Sequence, residues 1–90
     1  MSNGQFPKID LTTFFLSISS AAFMGLGLDA EVDLDLAKQN IDLLELMHEK
    51  TKGNRSAEEE QLLEQLLFET RLRYVEVEKK LRKKEDARKS

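Results

Sequence analysis

The sequence predicts an all-α chain, and three observations predict it. Four Gly and one Pro in ninety residues leave few turn residues for a β domain. Apolar residues recur at three- and four-residue steps along three separate stretches. Each stretch is bounded by residues that cap or stop helices. The expected architecture is a three-helix chain in which helices two and three form an antiparallel hairpin, assembled into an oligomeric helical bundle. Its expected organisation is a flexible N-terminus over 1–9, a helical domain over 10–78, and a basic helix end and tail over 79–90.

Met1 to Ile9 contain Gly4 and Pro7 and read as a loose terminus. Asp10 or Thr12 caps the first helix. Leu11, Phe14, Phe15, Ile18, Ala22 and Leu26 follow helical steps, while Leu16 and Phe23 fall off that stripe. A helix apolar nearly all round must be covered on more than one side. Thr13, Ser17, Ala21 and Gly25 form a row of small side chains that lets another backbone approach closely. Gly25 and Gly27 end the helix, because glycine tolerates left-handed backbone.

Leu28 to Asp35 alternates apolar and acidic residues as a strand does, but the chain offers it no partner strand. Asp33 or Asp35 is more simply the N-cap of the second helix, placed at the positive end of its dipole. Leu34, Ala37, Ile41, Leu44 and His48 form its stripe, widened by Leu43 and Met47, and Gly53 with Asn54 stops it near Thr51. Ser56 and Glu59, three apart before an apolar run, are a capping box. The third helix opens on Glu58, Glu59 and Glu60 and closes on Lys79, Lys80, Arg82, Lys83 and Lys84, both ends suiting its dipole. Between them Leu63, Leu67, Thr70, Tyr74, Val77 and Leu81 step as a heptad, flanked by Leu62, Leu66 and Val75.

At 1.5 Å per residue the third helix is roughly 40 Å long and the first two about 20–25 Å each. The distal half of helix three, carrying Tyr74, Val77 and Leu81, therefore extends beyond helix two. Helix one covers part of it at best, since its own extra apolar face also needs cover. A second copy of the chain answers both demands. Self-association as a homodimer or tetramer is the expectation, with Phe15, Leu63, Leu67, Tyr74, Val77 and Leu81 as candidate contact residues.

Chemistry for catalysis is sparse. The composition is globular, with 40% hydrophobic and 34% charged residues and a net charge of −3. Without Cys there is no disulfide framework, thiolate zinc site, iron–sulfur cluster or cysteine nucleophile. His48 is the only histidine, and near a helix C-terminus it reads as a packing or capping residue. Asp29, Glu31, Asp33 and Asp35 have the odd spacing of a calcium loop, but the sixth position is Leu34 and the twelfth Asn40. Ser17, Ser19 and Ser20 have no evident base, and Gly25 and Gly27 follow a helix without a P-loop lysine. The expectation is a protein without a catalytic site, metal or cofactor.

The apolar run Phe14 to Leu28 is too short and too interrupted by Ser and Gly for a spanning helix. With no Cys and no export signal the cytoplasm of a bacterium-like cell is the expected compartment. Residues 79–90 hold seven Lys and Arg against two acids. Lys79, Lys80, Arg82, Lys83 and Lys84 are accordingly candidate contacts for nucleic acid or an anionic membrane surface. A solvated helix end is the plainer reading, and no aromatic residue is interleaved there to stack on bases.

The stretch from Ala37 to Asn54, AKQNIDLLELMHEKTKGN, followed by residues 58–77, EEEQLLEQLLFETRLRYVEV, resembles a small bacterial family known only as a domain of unknown function, the 1844 family. The shared features are the apolar segment Phe14 to Gly27, Ile41–Asp42, the turn Lys50 to Asn54, and Arg71, Arg73 and Tyr74. The likeness spans roughly residues 10 to 77. It implies a small bacterial cytoplasmic protein and carries no activity or site residues with it. It also directs attention to polar residues on the helices: Asp42 with Arg71 or Arg73 is the expected pair between helices two and three. The main functional reading is a self-associating structural or protein-interaction module. The alternative is peripheral membrane or nucleic-acid contact through the basic tail.

Overall fold

The computed structural model describes the backbone of residues 10–89 and the side chains of residues 10–86. The loose terminus expected over 1–9 lies outside the described residues. Among the described residues three helices follow one another: α1 (Leu11–Gly25), α2 (Leu34–Lys50) and α3 (Ala57–Lys89). No strand occurs among the described residues, so the alternating segment before α2 is connecting loop.

Local chemistry explains each boundary. Asp10 is the N-cap of α1, its carboxylate accepting from Thr13 N–H at 2.9 Å. The C-terminus of α1 is a Schellman motif: Gly27 N–H donates to the Met24 carbonyl at 3.1 Å and Leu28 N–H to the Phe23 carbonyl at 3.0 Å. Gly27 takes the left-handed φ of 102° that this motif demands. Gly25 has a different role, because it is the last residue of the helix. Asp33, not Asp35, caps α2 by accepting from Leu36 N–H at 3.1 Å, while Asp35 sits in the first turn. The capping box of α3 closes in both directions, Glu59 N–H to Ser56 Oγ at 3.1 Å and Ser56 N–H to Glu59 Oε1 at 2.8 Å.

Two apolar clusters hold the helices together. One joins Phe15 and Ile18 of α1, Leu44 of α2, and Leu63, Leu66 and Leu67 of α3. The other joins Leu26, Ala37 and Val77, with Phe23, Leu34 and Tyr74 packed against them. The residue order in these clusters makes α2 antiparallel to both of its neighbours and sets α1 parallel to α3. Full burial of a side chain such as Phe15 or Leu63 contributes about 2–3 kcal/mol. Thr70 is buried within the heptad, and its hydroxyl donates back to the Leu66 carbonyl at 2.7 Å.

The second cluster corrects the expected overhang. Tyr74 and Val77 are covered by Phe23 of α1, Leu26 just after it and Leu34 of α2, so the chain itself closes over them. Only beyond Val77 does α3 run clear, and Leu81 is 38% exposed. Cover for α1 is one-sided: Phe15, Ile18 and Ala22 are buried, while Phe14, Leu16 and Met24 are exposed. Of its row of small residues, Thr13 and Ser17 face solvent, and Gly25 is where a neighbouring backbone comes close.

Candidate interaction surface

Core packing uses one side of α3 and leaves a second apolar stripe beside it. Phe68, Leu72 and Val75, at steps of four and three, are 66%, 49% and 45% exposed. With Leu67 they line a groove of about 830 Å³ between α2 and α3. Its α2 side carries Glu45, His48 and Glu49, and Glu64 and Arg71 complete the polar rim from α3. Arg71 bridges the helices, donating to Glu45 Oε2 through Nε at 3.0 Å and also through Nη2. A floor of aromatic and aliphatic carbon within a charged rim suits association with another apolar helix face.

The bridge differs from the expected one. Asp42 faces its own helix and pairs with Lys38 at 3.1 Å, a hydrogen bond that raises the Lys38 pKa above its ordinary value. Arg73 pairs with Glu76 at 3.6 Å along α3. The four-residue spacing from Lys38 to Asp42 satisfies both side chains locally. Glu45, almost one turn further along α2, is the residue that meets Arg71.

The structure separates the candidate contact residues. Phe15, Leu63, Leu67 and Val77 are buried in the chain's own core, and Tyr74 is half-buried against the second cluster. Phe15, Leu63, Leu67 and Val77 are thus buried without a second copy, and the apolar area α3 leaves open within the groove is that of Phe68, Leu72 and Val75. Leu81 is exposed and lines a smaller cleft with Leu34 and Arg82. Lys79, Lys80, Arg82, Lys83 and Lys84 are all exposed, Arg82 standing 3.6 Å from Glu78. Phe68 and Leu72 escaped the sequence reading although their steps carried a signal. With Val75 they step by four and three along a face beside the core stripe, Phe68 and Val75 each one residue after Leu67 and Tyr74 and Leu72 two after Thr70.

His48 contributes its backbone more than its ring. Its carbonyl accepts from Arg55 Nη1 at 2.7 Å, while the same nitrogen reaches Thr51 Oγ1 at 3.0 Å. Arg55 Nη2 lies 3.6 Å from Glu60, and the Arg55 side chain is only 5% exposed. The guanidinium therefore plugs the hairpin, tying the His48 carbonyl and the Thr51 hydroxyl at the end of α2 to Glu60 at the start of α3. Among the described residues no group of three or more His, Cys, Asp or Glu is placed to hold a metal ion. No helix among them is long and apolar enough to cross a membrane.

Together these features define, among the described residues, a three-helix fold with an apolar, charge-rimmed groove on its α2–α3 hairpin. The chain belongs to the family described as Domain of unknown function (DUF1844), which it matches over residues 8–76. The match takes in α1, α2, the hairpin turn and Phe68, Leu72 and Val75, and stops before Lys79. No curated protein and no solved structure matches the chain.

Proposed function

We propose that the chain is a self-associating helical interaction module whose contact surface is the α2–α3 groove. The observation that carries this reading is the exposed stripe Phe68–Leu72–Val75. An aromatic ring two-thirds open to water, continuous with two aliphatic neighbours, gains free energy when another surface covers it. Binding is favoured over catalysis because the groove's best-placed polar groups, Glu45 and Arg71, already satisfy one another.

Sedimentation equilibrium at micromolar concentration tests the reading. The expected result is a species heavier than the 10.4 kDa chain that returns to monomer on Phe68→Glu with helicity unchanged. A stably folded wild-type monomer would overturn it.

A second reading rests on the free end of α3, where Lys79, Lys80, Arg82, Lys83 and Lys84 are exposed on one continuous helix. Such an end attracts polyanions through counterion release or surface potential. Retention on DNA or RNA and flotation with anionic vesicles separate the two sources, and both must vanish at high salt. No binding at low salt would leave the segment as a solvated helix end.

A further inference from the structure

The long wall of the groove is α3, and charge is polarised along it. From Ala57 to Thr70 it carries five acids and no base, and from Lys79 to Lys84 five bases and no acid. Between those halves lie Phe68, Leu72 and Val75, exposed on one stripe. At the same helical steps the stripe continues to Gln65 and Gln61 on one side and to Lys79 and Arg82 on the other. It is therefore apolar at its centre, with opposite electrostatic environments at its two ends.

A second copy meets this pattern favourably in one orientation. Laid parallel, two α3 helices put acid beside acid and base beside base. Laid antiparallel, each acidic half lies beside the partner's basic half and the helix dipoles also oppose. The antiparallel arrangement has a two-fold axis, so one patch serves both copies and the assembly closes as a dimer. We propose that the partner is a second copy of this chain, docked α3 on α3 in antiparallel sense about an axis close to Leu72. Phe68 of one copy then packs near the partner's Val75. Glu64 and Glu60 fall within reach of the partner's Lys79 to Lys84. The Glu45–Arg71 bridge stays at the margin, where both groups keep their own hydrogen bonds. This arrangement rests on the self-association reading and adds its geometry.

The absence of Cys makes the geometry measurable, because any thiol is one deliberately introduced. Gln61 and Arg82 stand 21 residues apart on α3, about 32 Å at helical rise. Full-length Gln61→Cys and Arg82→Cys chains are mixed at a concentration where the wild type is dimeric and treated with a short bismaleimide. The expected product joins Gln61→Cys to Arg82→Cys and contains little of either same-site dimer. In parallel, Gln61→Lys/Glu64→Lys should self-associate about tenfold more weakly than wild type, and Lys79→Glu/Arg82→Glu likewise, while the two mixed recover dimer. Same-site products instead of mixed ones, or an equal yield of both, overturn the antiparallel arrangement while leaving self-association intact. A wild-type chain that stays monomeric and folded overturns the self-association reading and this arrangement together.

Discussion

Gly25 and Ala37 meet backbone to backbone where α1 crosses the start of α2. A Cβ on Gly25 would lie 2.6 Å from Ala37 N and 2.9 Å from the Asp33 carbonyl. The Gly25 carbonyl also accepts from Asp33 N–H at 2.7 Å. One residue without a side chain thus sets how closely the first two helices approach.

Gly25→Ala should destabilise the chain by about 2–3 kcal/mol, since the atoms it meets are backbone and cannot turn aside. Intrinsic helix propensity alone argues the other way, by about 1 kcal/mol. The sign is therefore diagnostic, and chemical denaturation reads it. Gly53→Ala is the control: its φ of 84° strains alanine, but no atom stands within 4 Å, so a loss of about 1 kcal/mol is expected.

Arg55 should prove more important than a turn residue usually is. Arg55→Ala removes its hydrogen bonds to the His48 carbonyl and Thr51 hydroxyl, at an expected cost of about 2 kcal/mol. Arg55→Lys should recover less than half of this, because one ammonium cannot serve His48 and Thr51 through one nitrogen and Glu60 through another as the guanidinium does. Equal stability of the Lys variant and the wild type would show that charge alone suffices.

Asp10 predicts an acid-dependent step at the start of α1. Thr13 N–H holds the Asp10 carboxyl below its ordinary 3.8. Folding therefore favours the ionised form. The cap is fully present above the ordinary carboxylate value and is lost as pH falls through the lowered one. Carbon-13 titration should place the Asp10 midpoint below 3.8, with Thr13 amide protection falling in the same range. Asp10→Asn should keep the cap and erase the step; a midpoint at or above 3.8 contradicts the capping geometry.

Leu63 and Phe68 sit five residues apart on α3 and should respond in opposite ways. Leu63 is fully buried, so Leu63→Ala should cost about 2–5 kcal/mol and lower the thermal midpoint at any protein concentration. Phe68→Ala removes a mostly solvated ring and should leave monomer stability within about 0.5 kcal/mol. Its effect should appear instead as a lost concentration dependence of the midpoint. Equal, concentration-independent losses at both sites would place Phe68 in the core.

The sequence by itself determined the helices, because their causes are local. Caps at Asp10, Asp33 and Ser56, glycines at Gly27 and Gly53, and three- and four-residue apolar steps each act within one or two turns. The family, too, was legible in the turn from Lys50 to Asn54 and in the segment Arg71 to Tyr74. Tertiary structure decided which apolar residues are spent inside the chain. Leu63 and Phe68 both lie on helical stripes, and only the positions of α1 and α2 bury the first and expose the second. Tyr74 and Val77, expected from helix lengths to be covered in part at best, are closed over because α1 lies alongside α3. Arg71 finds Glu45, not Asp42, for a related reason: Lys38 satisfies Asp42 within α2, and the rotation of α2 against α3 selects which acid faces the groove. Such choices depend on the crossing of α1 and α2 at Gly25, which brings together residues twelve apart in the chain, beyond the reach of any local pattern.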